Sequence, residues 1–163
     1  MSGLRLTQKS KYAVRALTEL ALDDCGSPLG VYEIARRQRI PERFLEQIFG
    51  ELRRADILES HRGARGGFCF AVPPEEVTVL EVVEILDGEV RPARCSAGGT
   101  CYIADAPLCA TSKVWEEARS ALESVFGRYT IAQIAAEERE NRAARAEADT
   151  GAQAEPAGAS FTR

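Results

Sequence analysis

Between residues 7 and 72 three short amphipathic segments are punctuated by CGSPLG, by Pro41 and by a Gly-rich turn, and this punctuation leaves few folds open. From Thr7 to Asp23, the residues Tyr12, Ala13, Ala16, Leu17, Leu20 and Ala21 recur at three- and four-residue spacings. That pattern predicts a helix with one buried face and Thr7 as its N-cap. CGSPLG breaks it. VYEIARRQRI supplies a second helix, which must stop before Pro41 because the residue ahead of a proline avoids the α region. PERFLEQIFGELRRADIL restarts with proline in its first turn and sets Phe44, Leu45, Ile48, Phe49 and Leu52 along one side of a third helix. LESHRGARGGFCFAV then predicts a hairpin, with one strand near Ile57 to Ser60 and an alternating strand around Phe68 to Val72. The expected fold class is mainly α with a small β-hairpin wing: a winged helix-turn-helix, in which the third helix enters a DNA major groove.

Side chains off the apolar stripe of the third helix are the candidate base readers. Glu42 and Glu46 can accept from cytosine amino groups, Arg43 can pair with guanine, and Gln47 can bond adenine in both directions. In the turn of the hairpin, Arg62 and Arg65 stand among Gly63, Gly66 and Gly67, a slim backbone that can bring a cation into a narrow minor groove. His61, the one histidine, is expected to meet phosphate or water there rather than metal. Charge agrees with this placement: residues 1–72 carry twelve Lys or Arg against nine Asp or Glu, whereas residues 73–163 carry nine against sixteen. The basic half is the one expected to face a polyanion.

Chemistry of other classes finds little support. There is no Gly-rich phosphate loop, no second histidine to serve a nucleophile and no convincing carboxylate pair, so no enzyme is expected. The opening MSGLRLTQKSKYAVRALTELAL lacks the apolar core of a signal peptide, and no later run is long enough to span a membrane. A cytoplasmic chain is expected. Its five cysteines are an odd number, and in a reducing compartment such a group more often ligates metal or senses redox state than forms structural disulfides. Cys25 and Cys69 stand apart and read as small buried hydrophobes. Cys95, Cys101 and Cys109 fall together in RCSAGGTCYIADAPLC.

RLTQKSKYAVRALTELA, EIARRQRIPERFLEQIFGELRRADILESHRGARGGF and VTVLEVVEILDGEV together resemble the Rrf-two family of winged helix-turn-helix transcription regulators, which includes the IscR-like and NsrR-like iron-sulfur sensors. The likeness covers roughly residues 4 to 135. It implies a homodimer on a pseudo-palindromic double-stranded DNA operator, with an iron-sulfur cluster held by Cys95, Cys101 and Cys109. Thiolates are soft ligands suited to such clusters, and a loop containing Gly98, Gly99 and Pro107 can wrap one. The Cys-x5-Cys-x7-Cys spacing departs from the family's commoner five-and-five, and it lacks the Cys-x2-Cys knuckles of structural zinc sites. A [2Fe-2S] cluster is expected ahead of [4Fe-4S]. The fourth ligand does not carry over. Where IscR-like sensors have a histidine this chain has Ser112, and where NsrR-like members use a first-helix aspartate it has Lys11. Gln8, Asp105, Ser112, a carboxylate of a second subunit, water or a small thiol stay open.

After the cysteines, Val114, Trp115, Ala118, Leu122, Val125 and Phe126 share one helical stripe, which is expected to pack against its twin in a dimer. The expected organisation is a DNA-binding domain over 1–88, a cysteine loop over 89–112, a long dimerisation helix over 113–140 and a disordered tail over 141–163. The function expected is a DNA-binding regulator sensing redox, nitric oxide or iron-sulfur status. The alternatives are the same fold acting as a metal-free thiol-disulfide switch, or as a metabolite-linked adaptor of a partner enzyme.

Overall fold

The computed structural model describes residues 6–23, 28–63, 66–93 and 111–152, with side chains to 148. Six helices and one hairpin follow in the order α1 (Gln8–Leu22), α2 (Val31–Gln38), α3 (Glu42–Arg54), β1 (Leu58–His61), β2 (Gly67–Phe70), α4 (Val79–Asp87), α5 (Ser112–Arg128) and α6 (Ile131–Ala152). Thr7 caps α1 as its position predicts, its hydroxyl accepting from the Lys9 amide at 3.2 Å. The turn between α2 and α3 closes on Arg39, which sits in the left-handed region at φ 53° while the Ile40 amide donates back to Ala35 O at 2.9 Å. Ile40 drops into the core there, and Pro41 launches α3.

One apolar core joins these elements. Ala13, Ala16 and Leu17 of α1, Ile34 of α2, Leu45, Ile48, Phe49 and Leu52 of α3, and Val82 of α4 are all shut off from solvent. On the hairpin Leu58 is buried and Phe68 and Phe70 pack against the same core, with the Phe68 ring edge-on to Phe49 at 5.1 Å between centroids. The register pairs Leu58 with Phe70, Glu59 with Cys69, Ser60 with Phe68 and His61 with Gly67. A further bridge ties Leu29, just ahead of α2, to Phe68 through two hydrogen bonds of 3.0 and 2.9 Å. The approach is so close that a Cβ on Gly67 would lie 2.4 Å from the Leu29 backbone, which is why a glycine begins β2.

The C-terminal half departs from the single helix expected over 113–140. It is two helices, broken at Tyr129 and Thr130. The break is held twice over. Thr130 and Gln133 form a reciprocal cap, the Thr130 amide donating to Gln133 Oε1 at 3.0 Å and the Gln133 amide to Thr130 Oγ1 at 3.2 Å. The joint is also laced to the segment before α4, since the Val79 amide donates to Tyr129 O and the Ile131 amide to Val77 O. Beyond it α6 returns along α1, burying Ile131 and Ala135, and runs on through 141–152, where a disordered tail was expected to begin. No helix among the described residues is long and apolar enough to cross a membrane.

Candidate nucleic-acid interface

The α3 stripe that anchors the helix also determines what it offers. With Leu45, Ile48, Phe49 and Leu52 buried, Glu42, Arg43, Glu46 and Gln47 are all left exposed in its first two turns. These four side chains therefore share the outer face of the second helix of a helix-turn-helix, the end from which base edges are read. Arg62 is exposed in the hairpin turn beside Gly63, whose φ of +117° is open to glycine alone at no steric cost. Arg65 lies outside the described residues.

The scaffold behind this face is fixed by polar contacts as well as by packing. Glu19, on the otherwise apolar side of α1, is 1 % exposed, yet three side chains answer it. Gln38 Nε2 donates to it at 2.6 Å, Arg37 Nη1 at 3.3 Å and Arg142 Nη2 at 2.5 Å, so α2 and α6 are both tied to α1. Burial alone would raise this carboxyl. The hydrogen bonds from Arg142 and Gln38, and then the Arg37 pair, outweigh burial and hold it below the ordinary value. On α2 the half-buried Glu33 is held at about 2 by hydrogen bonds from Arg36 and Arg37, which partly neutralises two of the cations nearest the turn. At the other end of α1 the Asp87 carboxylate accepts from the Thr7 amide at 2.9 Å, Thr7 Oγ1 at 2.6 Å and Ser10 Oγ at 2.7 Å. The last residue of α4 is thereby pinned to the first turn of α1. Neither Glu19 nor Asp87 was among the sequence-based candidates. A charged residue inside an apolar stripe is the one sign that Glu19 gives.

The wing holds a second departure. Cys69 was expected to be a buried hydrophobe, but it is only half-buried and points to the solvent side of the hairpin, its Sγ 3.0 Å from His61 Nε2 and 3.2 Å from Glu59 Oε1. Burial, with the Glu59 carboxylate adding to it, pushes this thiol up to about 11. Cys25, Cys95, Cys101 and Cys109 lie outside the described residues. Of the stripe expected at a dimer interface, Val114, Trp115 and Val125 are exposed on α5, at 59, 40 and 43 %, while Ala118, Leu122 and Phe126 are half-buried. No α5 residue is fully buried, an unusual state for a 17-residue helix in a chain with a well-filled core.

Known proteins share this architecture. The family Rrf2, described as iron-dependent transcriptional regulator, matches residues 6–137. The HTH-type transcriptional regulator IscR of Escherichia coli is 31 % identical over 131 residues, which is 80 % of either chain. Among solved structures, CymR, the global cysteine regulator of B. subtilis, superposes with a TM-score of 0.70 at 26 % identity, covering 82 % of this chain and 97 % of that one. IscR of T. potens superposes with a TM-score of 0.68 at 28 % identity, covering 85 and 91 %. These relatives are regulators of transcription and not enzymes. The winged helix with its outward-facing α3, and a family match running from the start of α1 into α6, have one conclusion: the chain belongs to the Rrf2 family of DNA-binding transcriptional regulators.

Proposed function

We propose that the chain acts as a homodimer on a pseudo-palindromic operator and holds an iron-sulfur cluster, [2Fe-2S] ahead of [4Fe-4S], on Cys95, Cys101 and Cys109. The observation that carries this reading is the donor set: three thiols within fifteen residues, between the winged domain and α5, in a family described as iron-dependent. Soft thiolates in that number suit an iron-sulfur cluster and leave one position for another ligand. When bound, the cluster supplies iron whose oxidation state and ligation respond to oxidants and to nitric oxide. The protein's own part is positional. Asp87 ties the end of α4 to Thr7 and Ser10, so the chain leaves for the cysteine loop from a point fixed against the turn of α1 that also carries Gln8. Five residues after Cys109, α5 begins its exposed apolar stripe at Val114 and Trp115, which a second copy would cover. Glu42, Arg43, Glu46 and Gln47 would read bases, and Arg62 and Arg65 would follow the minor groove.

Anaerobic purification tests the cluster. Iron and sulfide should accompany the protein, and replacing Cys95, Cys101 or Cys109 by Ala should remove most of the visible absorbance while Cys25→Ala leaves it in place. A colourless, iron-free protein with intact DNA binding would favour a second reading, a thiol-disulfide switch in the same fold. The likeness to CymR of Staphylococcus aureus, a structure of which is described as its oxidized form, supports that alternative.

A further inference from the structure

The solvent face of the wing carries three donor groups that neither base reading nor the cysteine loop employs. Side chains alternate along a strand, so Glu59 and His61 leave β1 on the same side, and the register sets Cys69 directly across from Glu59. Leu58, Phe68 and Phe70 take the opposite face, against the core. His61 Nε2 lies 3.1 Å from Glu59 Oε1 and 3.0 Å from Cys69 Sγ, and Cys69 Sγ lies 3.2 Å from the same Glu59 oxygen. All three donor atoms fall within 4.8 Å of one another.

We propose that Glu59, His61 and Cys69 form a zinc-class divalent-cation site on the wing, with three protein ligands and a fourth position open to water. Ligand atoms about 2.0–2.3 Å from a tetrahedral ion stand roughly 3.3–3.8 Å apart, so these donors need to part by only a few tenths of an ångström to admit one. The donor set selects the ion. One carboxylate, one imidazole and one thiolate are too soft for calcium or magnesium, which want oxygen alone, and a single thiolate is too few for an iron-sulfur cluster. Half exposure suits a three-ligand site that keeps a solvent position, and two adjacent strands hold the ligands in place better than a loop would. On binding, the Cys69 S–H proton passes to solvent as the sulfur-metal bond forms. The site then goes from one negative charge, that of Glu59, to none, because the dication is balanced by carboxylate and thiolate. An occupied wing is thus less repelled by a polyanion.

Cobalt(II) titration of the full-length chain carrying Cys25→Ala, Cys95→Ala, Cys101→Ala and Cys109→Ala, which leaves Cys69 as its one thiol, tests this. The expected result is one equivalent per chain with a cobalt-thiolate charge-transfer band that zinc(II) bleaches. Cys69→Ser should abolish the band, and His61→Ala should weaken cobalt binding by more than about tenfold. Zinc stoichiometry of the chain with all its other cysteines, with and without Cys69→Ser, gives an independent readout and should fall by one equivalent. A folded chain with no band, a band indifferent to His61→Ala, or a zinc stoichiometry unchanged by Cys69→Ser would overturn the proposal.

Discussion

At Glu19 a carboxylate almost wholly shut from solvent is satisfied by side chains of two other helices, and its ionised form is the one the fold needs. Its folded pKa is depressed, so the stability it contributes is fully present above the ordinary carboxylate value and is lost as pH falls through the depressed one. Glu19→Gln should therefore cost about 1–3 kcal/mol near neutrality. The gap to the parent should close in denaturant unfolding as pH is lowered through and below the ordinary carboxylate range; a gap of constant size would mean that charge plays no part. At the proposed DNA face the residues should divide by role. Glu46→Ala and Gln47→Ala should each relax discrimination at particular operator positions by about 1–3 kcal/mol. Arg62→Ala should weaken binding most on A/T-rich sites with a narrow minor groove. Equal losses on every sequence would reduce these contacts to phosphate. The exposure of Glu42, Arg43, Glu46 and Gln47 on α3 was legible in the sequence because an amphipathic stripe fixes its own complement. Glu19 and Asp87 were not, since each depends on partners far away in sequence: Arg142 stands 123 residues from Glu19. The wing cluster, local as it is, depends on the strand register that sets Cys69 across from Glu59.

The elements of the winged domain follow from local rules. Thr7, the left-handed Arg39 turn and Pro41 delimit α1 to α3, and Gly67 is required where the wing backbone meets Leu29. The division of α5 from α6 was also written locally, in Thr130-Ile131-Ala132-Gln133, a threonine with a glutamine three residues on. An unbroken apolar periodicity on either side masked it. Thr130→Ala should remove about 1 kcal/mol of stability by uncapping α6, read as a lower denaturant midpoint; an unchanged midpoint would leave the joint held by the hydrogen bonds from Val79 to Tyr129 and from Ile131 to Val77 alone. The α5 stripe gives a cleaner test of assembly than a core position would. Val114 is mostly exposed in the single chain, so Val114→Glu should leave folding intact and yet bury an unpaired charge wherever two copies of α5 meet. Sedimentation should then show monomers and operator affinity should collapse, whereas a dimer of full affinity would place the interface elsewhere.

Taken as a whole the molecule is a reading head with a fixed mount. The winged domain is closed by α6 on α1, α4 is pinned to the α1 N-terminus through Asp87, and α5 packs beside α4 with Val114, Trp115 and Val125 of its apolar stripe left exposed. Charge follows the same division, the surplus of Lys and Arg lying in residues 1–72 in a chain of net charge −4. Binding should accordingly fall steeply with salt, since an acidic protein holds DNA only through its local basic face. Two such heads, set about 34–36 Å apart, would reach successive major grooves, and in the proposed reading a cluster on Cys95, Cys101 and Cys109 would bear on that spacing. A ligand shifts a conformational equilibrium only by its differential affinity for the two states. The most direct test is therefore operator affinity at fixed salt, on a site selected from random duplex DNA, for anaerobic cluster-loaded protein, cluster-free protein and the Cys95→Ala, Cys101→Ala, Cys109→Ala variant. A difference of about 5- to 150-fold between the loaded protein and the other two is the result predicted; equal affinities in all three would contradict a cluster that regulates DNA binding.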